Sequence, residues 1–438
     1  MLRFIDLFAG IGGFHHALSA PPIGAKCVMT VELDPHCQEV YKTSLLNGKS
    51  ITKDFTFVPD IRSLTRNTYG VTDRPLNKLA DLIPDHDILC GGFPCQPFSK
   101  SGKQEGTSDE TRGTLFFDIM RIAKAKRPKY IILENVPNIV GPRHFDTTWL
   151  TIVNQLRKAG YLVSNRPAIL SPHELPPELG GTPQVRKRLF ILATRNDHQL
   201  AQPELTVRDY LDSIGTFPAD SWKIADYLRP DSVSKSHQLR EEEKMWISAW
   251  QYFVQMIPHD NLPGFPIWEK DLCETLKKPN PCPPWKLEFL RKNQEFYLLH
   301  KDLIDHWRTI NWSTDRSSPQ ITVQDFPESR RKFEWQARNF QSTQTKRDLR
   351  KLLIQFRPSG IRVKAPTYVP ALVAIAQTTV LGSELRRITP EEAAVLQGFP
   401  PSIFDATMID DTHKYKQLGN AVPVGLVRFC ANWLLNQE

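Results

Sequence analysis

The chain has 438 residues, enough for two or three domains around a large buried core. With 40% apolar residues, 24% charged residues and ten tryptophans, it is expected to fold rather than to be disordered. Lys and Arg outnumber Asp and Glu by 56 to 48, a net charge of +8 that leaves a polyanionic partner open.

The chain starts MLRFIDLFAG, which reads as a strand from the outset rather than as a secretion signal. Apolar runs such as 2–8 and 129–133 fall far short of the ~20 residues of a membrane span, so a soluble, intracellular protein is expected. Seven cysteines with no CxxC pair give no disulfide framework or zinc-finger spacing. Six of them read as small buried hydrophobes, and Cys95 is the exception.

Strand-like runs at 3–8, 26–33, 86–90, 129–134 and 188–193 alternate with helical patterns at 14–20, 36–46, 114–126 and 147–159. Strands separated by helix-length crossovers predict an α/β fold with a doubly wound, mostly parallel sheet. Ligands then bind at the carboxyl ends of the strands. From about Asn196 the pattern changes: eight of the ten tryptophans fall between Trp222 and Trp335, with helices expected at 241–257 and 285–310. This second domain is expected over 196–382. Helix and turn signals return over 383–438, where Thr389-Pro390-Glu391-Glu392 is a good helix start.

Between Arg330 and Lys364 lie eleven basic residues against only Glu334 and Asp348, interleaved with Phe333, Trp335, Phe340 and Phe356. A focused patch of this kind is the footprint of a polyanion, although a solvated face has the same composition.

Four clusters carry chemistry. Gly10, Gly12 and Gly13 after the first strand let the backbone turn tightly and approach a ligand. Glu32, ending the second strand, is placed to accept from both ribose hydroxyls of an adenosine-type cofactor, a dinucleotide or a methyl donor. Cys95, in GGFPCQPFS (91–99), sits as a nucleophile on a Gly/Pro-shaped loop, and the polar stretch after it suits a closing loop. Glu134 can donate a proton, and Arg186, in QVRKR (184–188), can fix a carbonyl oxygen.

In this order, DLFAGIGGF, VELD, GGFPCQPFS, ENV, QVRKRLF, RRITPEEAAVLQGFP and QLGNAVPV resemble the DNA (cytosine-5)-methyltransferase family. The resemblance covers about 250 residues and implies a Rossmann-like fold that binds S-adenosylmethionine, with no metal. Residues 1–195 would be catalytic, 196–382 would recognise the target, and 383–438 would return to complete the catalytic domain. Cys95 would add to C6 of a cytosine flipped out of double-stranded DNA. Glu134 would act at N3, and Arg186 with Arg188 would hold O2 and the phosphate side.

The same resemblance places Phe8, Ala9, Gly10 and Gly12 at the methionine and adenosine, Glu32 at the ribose, and Leu33, Asp60 and Ile61 at the adenine. Pro94, Asn420 and Val422 would close the cofactor site. Ser99 would meet DNA from the closing loop, and Arg357, Arg362 and Lys364 are expected to contact DNA from the basic patch. The compact chain is similar to stand-alone bacterial modification enzymes, which implies a companion restriction endonuclease, a cytoplasmic, nucleoid-associated setting and a monomer. The rival readings are a tRNA cytosine-5 methyltransferase, where PCQ would read PPC, and a DNA-binding protein with a decayed site. A flavin or nicotinamide oxidoreductase would explain the glycines and Glu32 but not the remaining motifs.

Overall fold

The computed structural model describes the chain apart from residues 47–54, 68–71, 95–114, 199, 259–261, 277–280, 314–318, 338–346, 373–377 and 438. Cys95 and Ser99 therefore lie outside the described residues. The chain forms two compact units: Met1–Trp222 with Pro370–Ile375 and Pro390–Glu438, and Lys223–Val369 with Ala376–Thr389.

The first unit is built on strands β1 (Arg3–Leu7), β2 (Lys26–Val31), β3 (Thr56–Val58), β4 (Ile88–Gly92), β5 (Tyr130–Asn135), β6 (Tyr161–Leu162), β7 (Ala168–Leu170), β8 (Gln184–Val185) and β9 (Arg188–Arg195). All but β8 form one sheet in the order β3-β2-β1-β4-β5-β9-β6, with β7 also on β9. The pairs β1–β2, β1–β4, β2–β3 and β4–β5 are parallel. Strand β9 enters antiparallel to β5, so the sheet is mostly parallel, as its apolar runs predict. Residues such as Ile88, Leu89, Ile131, Ile132 and Leu133 are fully buried, because helices cover both faces of such a sheet.

Helices α1 (Gly13–Ser19), α2 (Pro35–Leu46), α3 (Ile61–Thr65), α4 (Leu76–Leu82), α5 (Leu115–Lys126) and α6 (Leu150–Lys158) make the crossovers. Strand order reverses between β1 and β4, which opens the sheet at their carboxyl ends.

Helix α7 (Val207–Ile214) still belongs to this unit, although the sequence pattern changes before it. Thr206 and Asp209 close its capping box, Arg208 reaches back to Glu174 at 2.9 Å, and Trp222 Nε1 donates to the His173 carbonyl. The boundary therefore falls after Trp222 rather than at 195. Composition registers the loss of strand–helix alternation, whereas these contacts fix where the unit ends.

The second unit carries helices α8 (Glu241–Met256), α9 (Pro284–Leu299) and α10 (Lys301–Thr309). Its sheet runs β10 (Ile267–Trp268), β11 (Lys332–Trp335), β13 (Gly360–Lys364), β12 (Leu353–Arg357), β15 (Val380–Leu381) and β16 (Arg386–Arg387). A short β14 (Val369–Pro370) lies at the end of its long segment. Trp246, Trp250, Trp307 and Trp335 are buried in its core, where Trp250 stacks on Phe333 at 4.7 Å between ring centres and meets Trp307 at 5.0 Å. The single helix expected over 285–310 is two helices. His300 leaves helical geometry (φ −127°, ψ 27°) and restarts the chain so that α10 buries Ile304 and Trp307. Because β16 belongs to this unit, the return starts at Pro390 and not at 383.

That return consists of α11 (Pro390–Leu396), α12 (Asp411–Asn420) and α13 (Val424–Leu435). By length and composition alone, Asp411–Leu435 is apolar enough to cross a membrane, a stretch that the sequence reading passed over. It is broken at Ala421–Pro423, 67% of its apolar window is buried, and α13 packs on α1 and β9. It is a core element of this unit. Gly425 lets it approach so closely that a Cβ there would lie 1.8 Å from the Gly180 carbonyl oxygen. Of the six cysteines expected to be buried, Cys27, Cys37, Cys90 and Cys430 are, whereas Cys273 and Cys282 are half-buried.

Candidate active site

A cleft of about 1080 Å³ opens at the carboxyl ends of β1, β2, β4 and β5 in the first unit. The turn after β1 is made by left-handed backbone at Phe8 (φ 55°), Gly10 (φ 55°) and Gly12 (φ 87°), the geometry that glycine supplies without strain. At Gly12 a Cβ would strike Leu45 Cδ1 at 2.3 Å.

Glu32 lines the cleft and is held at both oxygens: Gly10 N–H donates to Oε2 at 2.7 Å and Asp34 N–H to Oε1 at 2.7 Å. Burial raises its pKa against these two hydrogen bonds. Leu33 beside it is 63% exposed, an apolar side chain left facing the opening. Asp60 and Ile61, at the start of α3, also line the cleft, with Asp60 tied to Arg62 at 2.8 Å.

Phe8, Pro94 and Asn420 face the same space. Ala9, Gly10, Gly12 and Val422, expected at the cofactor, do not line it. Gly10 acts through Glu32, Ala9 is buried, and Val422 packs behind the turn, where a Cβ on Gly13 would meet its Cγ1 at 2.6 Å.

On the other side of the cleft, Glu134 ends β5 and Arg188 opens β9. Arg188 Nε donates to Glu134 Oε1 at 2.7 Å, and both groups are largely buried. Burial pushes the Glu134 carboxyl above its ordinary range, opposed by Arg188 and then by Arg186. Gly92, in register opposite Glu134, leaves room for it, since a Cβ there would sit 3.0 Å from Glu134 Oε2.

Arg186 does not join this pair. It is 1% exposed, and its guanidinium donates to the carbonyls of Leu372 (2.8 Å), Gly419 (2.7 Å) and Ala421 (2.8 Å). The carbonyl-holding role expected of Arg186 is met by the protein's own backbone, where it clamps the C-terminal return. Of the two, Arg188 is the one that lines the cleft.

Sequence reasoning left Asn135 without a role. Its amide donates to the Phe93 carbonyl at 2.8 Å and its Oδ1 accepts from Val136 N–H at 2.8 Å. It thus ties the loop that leads to Cys95 to the end of β5. Its place in ENV, next to Glu134, was the available signal.

Part of the basic patch is taken up by the second unit's own residues, while Arg350 and Lys351 are exposed. Arg330 lies against the Trp246 and Phe356 rings at 5.1 and 5.2 Å, Arg331 pairs with Glu269 at 2.5 Å and Lys332 with Glu328 at 2.9 Å. Arg347 is buried and donates to the carbonyls of Val254, Ile257 and Pro258. Arg338 and Lys346 lie outside the described residues. Arg357, Arg362 and Lys364 lie partly exposed on the β12–β13 hairpin.

A family model described as C-5 cytosine-specific DNA methylase matches residues 2–436. Type II methyltransferase M.AluI of Cellulosimicrobium cellulans is 36% identical over 504 residues, 97% of this chain and 90% of that protein. Type II methyltransferase M.HhaI of Haemophilus parahaemolyticus is 41% identical over 197 residues, 45% of this chain and 50% of that protein. The S. pombe Dnmt2 methyltransferase matches with a TM-score of 0.51 over 99% of this chain and 98% of its own at 17% identity, a likeness of fold alone. The chain belongs to the C-5 cytosine-specific DNA methylase family and is a DNA cytosine-5 methyltransferase.

Proposed function

We propose that the enzyme transfers a methyl group from S-adenosylmethionine to C5 of a cytosine flipped out of one short double-stranded DNA sequence. Its role would be to protect that sequence from a companion restriction endonuclease. The observation that carries the reading is the Glu134–Arg188 pair, buried in the cleft lined also by Pro94, the residue before Cys95.

The residues present fit the donor. Each Glu32 oxygen accepts one backbone N–H and keeps a lone pair for a ribose hydroxyl. Leu33 offers an apolar face to an adenine, and Asp60–Ile61 its edge. The donor supplies a methyl group made electrophilic by a sulfonium sulfur.

Cytosine C5 is a poor nucleophile until something adds at C6. In this reading the Cys95 thiolate forms the S–C6 bond and the ring electrons move toward N3 and C5. Glu134, kept protonated to higher pH by burial, gives N3 a proton. Arg188 donates to O2 and, through its ion pair, fixes the Glu134 carboxyl. C5 takes the methyl group, a base removes the C5 proton, the S–C6 bond breaks to return the thiolate, and N3 gives its proton back to Glu134. Neither C5 nor C6 can be reached in a stacked duplex, so the base must leave the helix.

A duplex carrying 5-fluorocytosine tests this scheme, because fluorine at C5 cannot be removed as a cation and the S–C6 bond persists. Denaturing gels are expected to show a donor-dependent covalent complex that Cys95→Ala abolishes. A complex that survives Cys95→Ala would overturn the assignment.

A further inference from the structure

From Ile354 on, the β12–β13 hairpin alternates, whereas Leu353, in register with Lys364, is also buried. Ile354, Phe356, Ile361 and Val363 are buried in the core, which sends Gln355, Arg357, Arg362 and Lys364 to the opposite face. Arg362 sits in register between Gln355 on β12 and Glu334 on β11.

Glu334 Oε2 accepts from Arg362 Nε at 2.8 Å and from its terminal nitrogen at 2.6 Å, and Glu334 Oε1 accepts from the Gln336 amide. A guanidinium tied along its Nε side keeps its outer end, with parallel N–H donors, for another planar acceptor pair. Arg357 and Lys364 flank it and have no ion-pair partner among the described residues. Burial and then the charge of Arg362 push both of their pKa values down, a crowding that an anion would relieve.

We propose that Arg362, oriented by Glu334, reads one guanine of the DNA target through N7 and O6, while Arg357 and Lys364 hold phosphates. This names the determinant of sequence choice within the DNA reading above and rests on it. The oriented end of Arg362 matches the two adjacent acceptors that only guanine shows in the major groove. The two cations, without an ion pair among the described residues, match the backbone, which positions a protein without specifying sequence.

The test is to methylate a randomised duplex library with the parent enzyme, Arg362→Lys, Glu334→Gln and the Arg357→Ala/Lys364→Ala double variant, reading sites by bisulfite sequencing. Thermal melts establish that each variant is folded, and Glu334→Gln gives an independent readout should Arg362→Lys fail to fold. The parent is expected to require a guanine at one position. Arg362→Lys and Glu334→Gln should both relax that same position, by roughly tenfold to a hundredfold in discrimination. The double variant should keep the parent sequence, methylate it uniformly less, and show a salt slope shallower by about two. If Arg362→Lys and Glu334→Gln keep the parent's choice at every position, the proposal is wrong. If the parent itself methylates no sequence in the library, the DNA reading beneath it fails as well.

Discussion

Arg188 and Arg186 stand two residues apart and do opposite work: the first pairs with Glu134 in the cleft, whereas the second is buried against three backbone carbonyls. Replacing each in turn separates chemistry from architecture. Arg188→Ala is expected to remove most methyl transfer and to cost less stability than Arg186→Ala, because the buried Glu134 carboxyl that it leaves can take up a proton. Arg186→Ala leaves three buried carbonyls without donors and should cost roughly 3 kcal/mol or more of stability. Melting curves and single-turnover rates on both variants check this, and equal losses of stability would contradict it.

Glu134 carries a pH prediction. Burial holds its pKa above the ordinary carboxylate value, so its protonated form persists to higher pH. If that proton serves N3, the transfer rate falls as pH rises through the raised pKa. Glu134→Gln, which cannot titrate, should lower the rate by about 10²–10⁴-fold and flatten that limb. A single-turnover pH profile of both proteins is the measurement.

Gly92 is expected to be as sensitive as a catalytic side chain. A methyl group there would press on Glu134 Oε2 at 3.0 Å, so the carboxyl must shift by a few tenths of an ångström. Gly92→Ala should fold, bind the donor as the parent does, and lose roughly tenfold or more in transfer rate. Unchanged turnover would show that the carboxyl position is not critical.

Asp6 lies fully buried on β1, and neither carboxyl oxygen has a side-chain partner. Burial and then the Glu32 carboxylate push its pKa well above the ordinary value. A group raised in the folded state contributes fully below its unfolded pKa, and that contribution disappears as pH rises through the folded one. Asp6→Asn should therefore match the parent below the ordinary carboxylate pKa, about 4, and melt at a progressively higher temperature than the parent as the pH rises above it. Melting curves across that range check the sign.

The central sheet was legible because strands buried on both faces are written as short, nearly continuous apolar runs, as in β4 and β5. The cleft was legible too, since glycines, an acid and a Cys loop each follow a strand. Partners were not. Spacing placed Arg186 and Arg188 together but said nothing of the carbonyls of Leu372, Gly419 and Ala421, which arrive from far along the chain. Counting charge likewise could not show that Arg330 rests on aromatic rings or that Arg347 is sealed against helix carbonyls. Unit boundaries slipped for the same reason, since α7 and the chain after it are tied back to Glu174 and to the His173 carbonyl, 34 and 49 residues earlier.

The most direct test expresses the enzyme in a host free of cytosine methylation and bisulfite-sequences the plasmid, beside a Cys95→Ala control. The account predicts cytosines protected within one short recurring sequence, all lost in the control. Complete conversion at every cytosine, from soluble and folded protein, would contradict it.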